Sequence, residues 1–426
     1  MQTAREVALN ALYKIDVGEG YSNLILDKEL NKSELTRLDR ALASEIVYGV
    51  LTWKLFLDET IKRYSLVKFK KISPWIVNIL RMGIYQIVFL NKIPESAAVN
   101  ESVNLAKKYG HDASARFTNA ILRKVEKDER EKLIDYLQKN DFLNDEIISI
   151  TTSHPRWMVD KLLDDYDSRF VLELLEANNE NPDTTIRVNT LKTSREELRN
   201  LFDLKDIDSR SGELPDALIV KHLTNFDDPL YVVQDEAAQL AVLKLDPKEN
   251  EIVLDACSSP GGKTTYISQL MNNTGRIDAW DIHEHRVELV KQLAKKLGAT
   301  NINASVADAT EYHTELRDRY DKVLLDVPCS GLGVIRKKPD IKWTRKEEDL
   351  PELIDTQRKI LECGAEYLKT GGTLVYSTCT VLKDENERQI EKFLKKHPEF
   401  KLEEEIKLFP HKNHTDGFYI AKMIKI

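Results

Sequence analysis

The sequence predicts a multidomain chain. An all-α N-terminal domain precedes a small α+β middle domain, followed by a C-terminal α/β domain on a mostly parallel, Rossmann-like sheet. Three observations predict it. Apolar residues recur at helical spacing from Val7 to Val125. Short segments rich in β-branched residues follow between Thr184 and Gln234. From Glu251 onward, short apolar strands alternate with helices. A length of 426 residues already exceeds one ordinary domain. The expected boundaries are 1–130, 145–232 and 233–426.

In the N-terminal part, Val7, Ala8, Ala11, Leu12 and Ile15 form one helical stripe. Ser73-Pro74 predicts a helix start, with a capping side chain followed by proline in the first turn. Ile76, Ile79, Leu80, Gly83, Ile84 and Ile87 keep the same face behind it. Pro94 opens the next helix, with Ala98, Val99, Ser102, Val103 and Ala106 inward and Gly110 closing it. Another carries Phe117, Ile121, Leu122 and Val125. The charge run KDEREK from Lys127 predicts a solvated helix leading into a linker. In the middle part HPRWMVDKLLDDY is helical, and TTIRVNTL, LIVKH and PLYVVQ are strand-like.

The C-terminal strands are EIVLD, GRIDAWD, INASV, DKVLLD and TLVYS, with a long helix from Pro351 to Lys369 before the last. Such alternation predicts a doubly wound sheet whose ligands sit at the carboxyl ends of the strands. There are no internal repeats or low-complexity tracts.

Composition bounds the function. No window approaches the roughly eighteen-residue apolar run of a membrane helix, and MQTAREVALNALYKI is not a secretion signal, so a cytoplasmic protein is expected. The net charge of −8 does not mark a nucleic-acid binder, so an RNA partner would need basic residues gathered locally. Four cysteines, at 257, 329, 363 and 379, fit no zinc spacing, and in a reducing compartment they remain thiols.

The first C-terminal strand ends in Asp255, and the turn Cys257, Ser258, Ser259, Pro260, Gly261, Gly262, Lys263 leads into a helix. Glycines there let backbone approach a ligand, with helix amides behind it. A phosphate loop would need glycine where Cys257 stands, and a dinucleotide fingerprint needs a G-x-G-x-x-G that this turn lacks. Asp281 ends the second strand, where a carboxylate accepts from both hydroxyls of a ribose. Asp308 follows the third strand, within reach of an adenine amino group; on its own it reads equally as a helix cap. Together these acids and the glycine turn point to an adenosine-containing ligand.

The fourth strand delivers Asp326-Val327-Pro328-Cys329-Ser330-Gly331, and the fifth delivers Ser377-Thr378-Cys379-Thr380. In a doubly wound sheet those strand ends are neighbours, so two cysteines and an aspartate converge on one cleft. A lone cysteine is more often a small buried hydrophobe, which is the reading for Cys363 within a helix. The converging pair suits methylation of cytosine carbon 5. A thiolate added to carbon 6 makes carbon 5 nucleophilic, an acid such as Asp326 stabilises the developing charge, and a second thiol assists release.

CSSPGGKT, the DVPCSG turn and the STCT turn together resemble the RNA cytosine-C5 methyltransferases. The resemblance runs the length of the chain. The N-terminal module resembles the NusB-like RNA-binding domain, including Arg116 to Arg123 (RFTNAILR), and the architecture with Arg187-Val188-Asn189 is similar to the bacterial 16S rRNA methyltransferase B family. It implies a class I methyltransferase domain, S-adenosyl-L-methionine as cofactor, and small-subunit rRNA, free or in an early particle, as partner of a monomer. It also implies that Cys379 is the nucleophile and Cys329 aids release. The cofactor contacts it implies are Cys257 to Lys263, Asp281, Arg286, Asp308 and Asp326, although Arg286 equally suits an exposed helix arginine. The family turn reads Cys-Ala-Ala-Pro where this chain has Cys-Ser-Ser-Pro, and serine is small enough to keep the backbone path. In Asp416-Gly417-Phe418-Tyr419, resembling the last hairpin, the family commonly has phenylalanine at Tyr419.

Arg336, Lys337 and Lys338 are candidates for the RNA entrance, or a solvated loop; Arg187 and Asn189 are candidates for RNA contact, or for support of the middle domain. Two other readings compete. A DNA cytosine-C5 methyltransferase would use a Pro-Cys turn like Pro328-Cys329 and has no need of Cys379. A non-catalytic RNA-binding protein would leave the cofactor turn and both cysteines without purpose. Another RNA, tRNA or large-subunit rRNA, is the alternative substrate.

Overall fold

A computed structural model describes every residue except Met1, Glu19, His222 and Thr224. The chain packs as two units. One comprises Met1–Glu180 with Lys338–Thr344, the other Asn181–Lys337 with Arg345–Ile426.

The first unit is helical. Its buried centre is the helix Pro74–Phe89, apolar on nearly all sides, as a helix surrounded by others must be. Proline occupies the first turn as expected, but the Ser73 side chain makes no capping hydrogen bond. The stripe of Ala4–Asp16 packs there through Val7, Ala8, Leu9, Ala11 and Leu12. Helices Glu95–Tyr109 and Asp112–Leu122 enclose it further, with Ala98, Ala106, Ile121 and Leu122 in the core. Arg81 is buried on the central helix and held by Asp58, at 2.6 and 2.8 Å, and by Asp16 at 2.6 Å. The helix Glu129–Lys139 departs from its expected solvation. Glu129 is buried and accepts from Arg63 and Tyr64, and burial raises its pKa.

Helices Asn144–Thr151, Arg156–Asp165 and Ser168–Ala177 also belong to this unit. By packing, therefore, the division falls at 180/181, inside the segment 145–232 expected as a middle domain. Residues 338–344 complete the unit, with Trp343 Nε1 donating to the Leu51 carbonyl at 2.6 Å. Buried Lys342 donates to the Thr52 carbonyl and to Asn179, and burial depresses its pKa well below that of a free lysine.

The second unit holds two sheets. The smaller contains β1 (Thr184–Val188), β2 (Ser209–Ser211), β3 (Ala217–Val220) and β4 (Tyr231–Val233), ordered β2-β3-β1-β4 and antiparallel throughout. The strand read from LIVKH thus ends at Val220, and His222 lies outside the described residues. The larger sheet contains β5 (Ile252–Asp255), β6 (Arg276–Asp281), β7 (Ile302–Val306), β8 (Tyr320–Asp326), β9 (Leu368–Thr378), β10 (Phe400–Leu408) and β11 (Phe418–Lys425). Their order is β10-β11-β9-β8-β5-β6-β7, parallel from β9 to β7 and antiparallel in the final hairpin.

Alternation along these strands feeds two cores. Leu254, Val323, Leu325, Leu374 and Tyr376 face helices Leu350–Tyr367 and Glu387–Lys396. Val253, Leu324 and Val375 face Glu236–Leu245 and Gly262–Leu270. The chain runs β5, β6, β7 outward and returns to place β8 on the other side of β5. A topological switch point therefore lies between β5 and β8, where such sheets bind ligands. Among the described residues no helix is long and apolar enough to cross a membrane.

Candidate active site

Two cavities open at this switch point. One, of about 510 Å³, is lined by Asp281, Ile282, Arg286, Asp308, Ala309, Pro328 and Ile360, among others. The second, of about 480 Å³, is lined by Asp255, Gly262, Lys263, Lys337, Cys379, Asp416 and Phe418, among others. Cys257, Ser259 and Asp326 line both. These sizes suit small ligands.

The first cavity gathers the expected acids at the ends of β6, β7 and β8. Asp281 accepts from the His283 amide at 3.0 Å, with Arg286 3.8 Å from its other oxygen. One oxygen of Asp308 caps the following turn, accepting from the Thr310 amide and hydroxyl at 2.8 and 2.7 Å. Carboxylates at successive strand ends and apolar walls from Ile282, Ala309 and Pro328 fit an adenosine and its ribose hydroxyls. Behind the turn, Gly261 has φ 104°, the left-handed conformation glycine tolerates best. The Cys257 thiol is held well above its ordinary pKa by burial and by the nearby carboxylates Asp255, Asp326, Asp281 and Asp308. Such a shift favours the thiol form over the nucleophilic thiolate.

In the second cavity Lys263 Nζ donates to Asp326 Oδ2 at 2.6 Å, and Ser377 Oγ donates to Asp326 Oδ1 at 2.8 Å. Burial opposes the Lys263 charge, but Asp326, Cys379 and Asp255 outweigh it and raise its pKa. Asp255 is fully buried; Thr264 donates to one oxygen at 2.7 Å, while the other has no hydrogen-bond partner among the described residues. Burial, with the Asp326 charge, pushes its pKa up to about 7.

The expected convergence of the cysteines occurs. Cys329 Sγ and Cys379 Sγ lie 3.3 Å apart, within S–H···S hydrogen-bond distance. Cys329 is held well above its ordinary pKa by that bond, then by burial and by the charges of Cys379 and Glu385. Cys363 is separate; its thiol donates to the Thr310 carbonyl at 3.5 Å.

The basic candidates divide differently. Arg187 is buried on β1, bonded to Gln234, to the Gly262 carbonyl at 2.5 Å and to Thr265 at 3.0 Å, so it braces the glycine turn. Asn189 is buried too, donating to the carbonyls of Pro229 and Leu297. Both side chains are engaged within the protein, and β1 is buried on both faces from Thr185 to Val188. Arg336 donates to the His414 carbonyl at 3.1 Å and lies 3.5 Å from Asp416. Lys337 pairs with Asp235 and Asp416 at 2.5 and 2.9 Å and lines the second cavity. Lys338 is exposed. Sequence reasoning missed Gln357, Arg345 and Glu385 around the cysteine turns. Arg345 donates to the carbonyls of Ser330 and Cys329 at 3.3 and 3.4 Å.

Family models match three stretches: "16S rRNA methyltransferase RsmB/F" over 242–424, "NusB family" over 2–127, and "Methyltr_RsmF/B-like, ferredoxin-like domain" over 154–227. The chain is 37% identical to the probable ribosomal RNA small subunit methyltransferase B of Bacillus subtilis, covering 99% of each. It is 33% identical to the protein so described from Synechocystis, covering 100% of each. Among solved structures, that of PH0851 matches with TM-score 0.80 at 27% identity, covering 98% of each chain. A methyltransferase homolog protein from Pyrococcus horikoshii matches at TM-score 0.59 and 28% identity, covering 66% of this chain and 98% of that one.

Proposed function

Because the chain belongs to the 16S rRNA methyltransferase RsmB/F family, whose members depend on S-adenosylmethionine, we propose that it methylates carbon 5 of a cytosine in small-subunit ribosomal RNA. The observation that carries this reading is the pair of sulfurs 3.3 Å apart beside two cavities that share Asp326. In this reading the cavity of Asp281, Arg286, Asp308 and the Cys257–Lys263 turn takes the cofactor, and the cavity of Lys263 and Cys379 takes the base. When bound, S-adenosylmethionine supplies an electrophilic methyl group.

Cys379 attacks carbon 6 as a thiolate, and the ring electrons become available at carbon 5. Asp326, held by Lys263 and Ser377, acts as the acid: the proton it shares with Lys263 is directed at ring N3 and stabilises the negative charge that the addition puts on the ring, and it returns to Asp326 on release. After transfer, the carbon 5 proton passes to water and its bonding pair restores the ring double bond. The sulfur–carbon 6 bond breaks with its pair going to Cys379, and the Cys329 thiol donates a hydrogen bond to the departing sulfur. Reaching this cavity requires an unstacked base, as in a loop or single strand of free RNA or an early particle. The enzyme acts in the cytoplasm as a monomer, with 1–130, 145–232 and 233–426 as its evolutionary domains.

Trapping tests the reading. Cys329→Ala and Cys379→Ala are incubated with cellular RNA and cofactor, and protein–RNA adducts surviving denaturation are counted. Cys329→Ala should accumulate an adduct and Cys379→Ala should form none. An adduct only in Cys379→Ala would make Cys329 the nucleophile, and none in either would remove the covalent step.

A further inference from the structure

Two residues after the Cys379 turn fasten both cysteine turns. Glu385 is fully buried. Its Oε1 accepts from Ser330 Oγ at 2.5 Å, and its Oε2 accepts from the Ser330 amide at 2.8 Å and from Gln357 Nε2 at 2.9 Å. Gln357 also donates to the Pro328 carbonyl at 3.0 Å, so the Pro328–Ser330 turn is held on both sides of Cys329. The Ser330 hydroxyl lies 2.7 Å from that of Thr380, beside Cys379. The neighbouring Asn386 accepts from the Thr378 hydroxyl at 2.5 Å and donates to the Thr380 carbonyl at 3.0 Å, bracketing Cys379. Tyr376 OH donates to the Glu385 carbonyl at 2.7 Å, fixing this pair against β9.

We propose that Glu385 is a positioning residue that sets the separation of the two sulfurs and supports the release step. This rests on the roles proposed above for Cys379 and Cys329. Holding one turn through Ser330 while Asn386 holds the other leaves the sulfurs little freedom to drift apart, and misplacements of an ångström cost catalysis heavily. A buried carboxylate so close also favours the protonated form of Cys329, the form that donates to the departing sulfur. Glutamine in its place keeps the volume but presents an amide N–H donor where Ser330 or Gln357 also donates.

The test is Glu385→Gln in the full chain with an RNA substrate, measuring kcat, both KM values and the lifetime of the Cys379 adduct. The expected result is a kcat at least about tenfold lower, both KM values within about twofold, and a longer-lived adduct. Unchanged kcat overturns the proposal, and so does a loss in which KM values rise and melting temperature falls together. If Glu385→Gln does not fold, Ser330→Ala removes the same contact from the other side. It should also prolong the adduct, and an unchanged lifetime overturns the proposal. Methylation surviving in Cys379→Ala would sink the covalent reading itself, a failure separate from that of Glu385.

Discussion

Asp255 is ionisable, wholly buried and sits where β5 hands over to the glycine turn. Its pKa moves from 3.8 to about 7 on folding, chiefly through burial, a difference worth about 4 kcal/mol. For a raised carboxyl the sign is definite: its contribution is fully present below pH 3.8 and is lost as pH rises to about 7. Asp255→Asn lacks this titration. The melting temperature of the wild type should therefore fall relative to the variant between about pH 4 and 7, then hold a constant gap. A gap constant across the whole range would show that Asp255 does not titrate there. Asp255 was visible in the sequence only as the end of a strand, and Arg187 only as a cation. What neither residue type reveals is depth. TTIRV alternates as a half-exposed strand does, yet β1 is covered on both faces, and its arginine became a brace for the cofactor turn.

At the level of elements, the active site depends on one close approach. The Gly333 amide donates to the Cys379 carbonyl at 2.9 Å, and the Gly417 amide donates to the Gly333 carbonyl at 2.8 Å. A Cβ on Gly333 would lie 1.9 Å from the Gly417 carbonyl oxygen, so loop, cysteine turn and final hairpin meet only through glycine. Gly333→Ala should lower kcat by about a hundredfold, with protein still folded by circular dichroism; full kcat would mean the three segments separate without consequence. The five parallel strands of the large sheet were legible because each is a short run ending in a polar turn and set off by helices, whereas β10, rich in charged residues, was not among the strands expected. The three-residue strand Ser209–Ser211 was not, since Ser-Arg-Ser carries no apolar pattern and exists only by pairing with β3. Nor was the buried Glu129, whose surroundings in sequence are all charged. The turns bearing Cys329 and Cys379 were legible because cysteine is rare in this chain, whereas Glu385 and Asn386 are common surface types.

On the scale of the whole molecule, the seven residues 338–344, a few residues after the Cys329 turn, pack with the helical unit instead of the one that carries that turn. Trp343 seats against that core and bonds Leu51, so Trp343→Ala should destabilise the helical unit by about 2 kcal/mol. Hydrogen exchange of the helix Arg37–Thr52 measures this directly, and unchanged protection there would deny the segment a structural part. The net charge of −8 leaves no general attraction for RNA, and of the four basic residues considered as RNA contacts at the outset, Arg187 is buried while Arg336 and Lys337 are engaged with neighbouring groups. During synthesis, the insertion of 338–344 imposes an order of events. A helical unit whose first helix begins at Ala4 waits for its last piece until residues 338–344 have been made, after β5 to β8 have been synthesised. The nascent chain must then keep an unfinished core from sticking to its neighbours for the whole of that delay, which makes translation speed through this stretch part of the protein's folding problem.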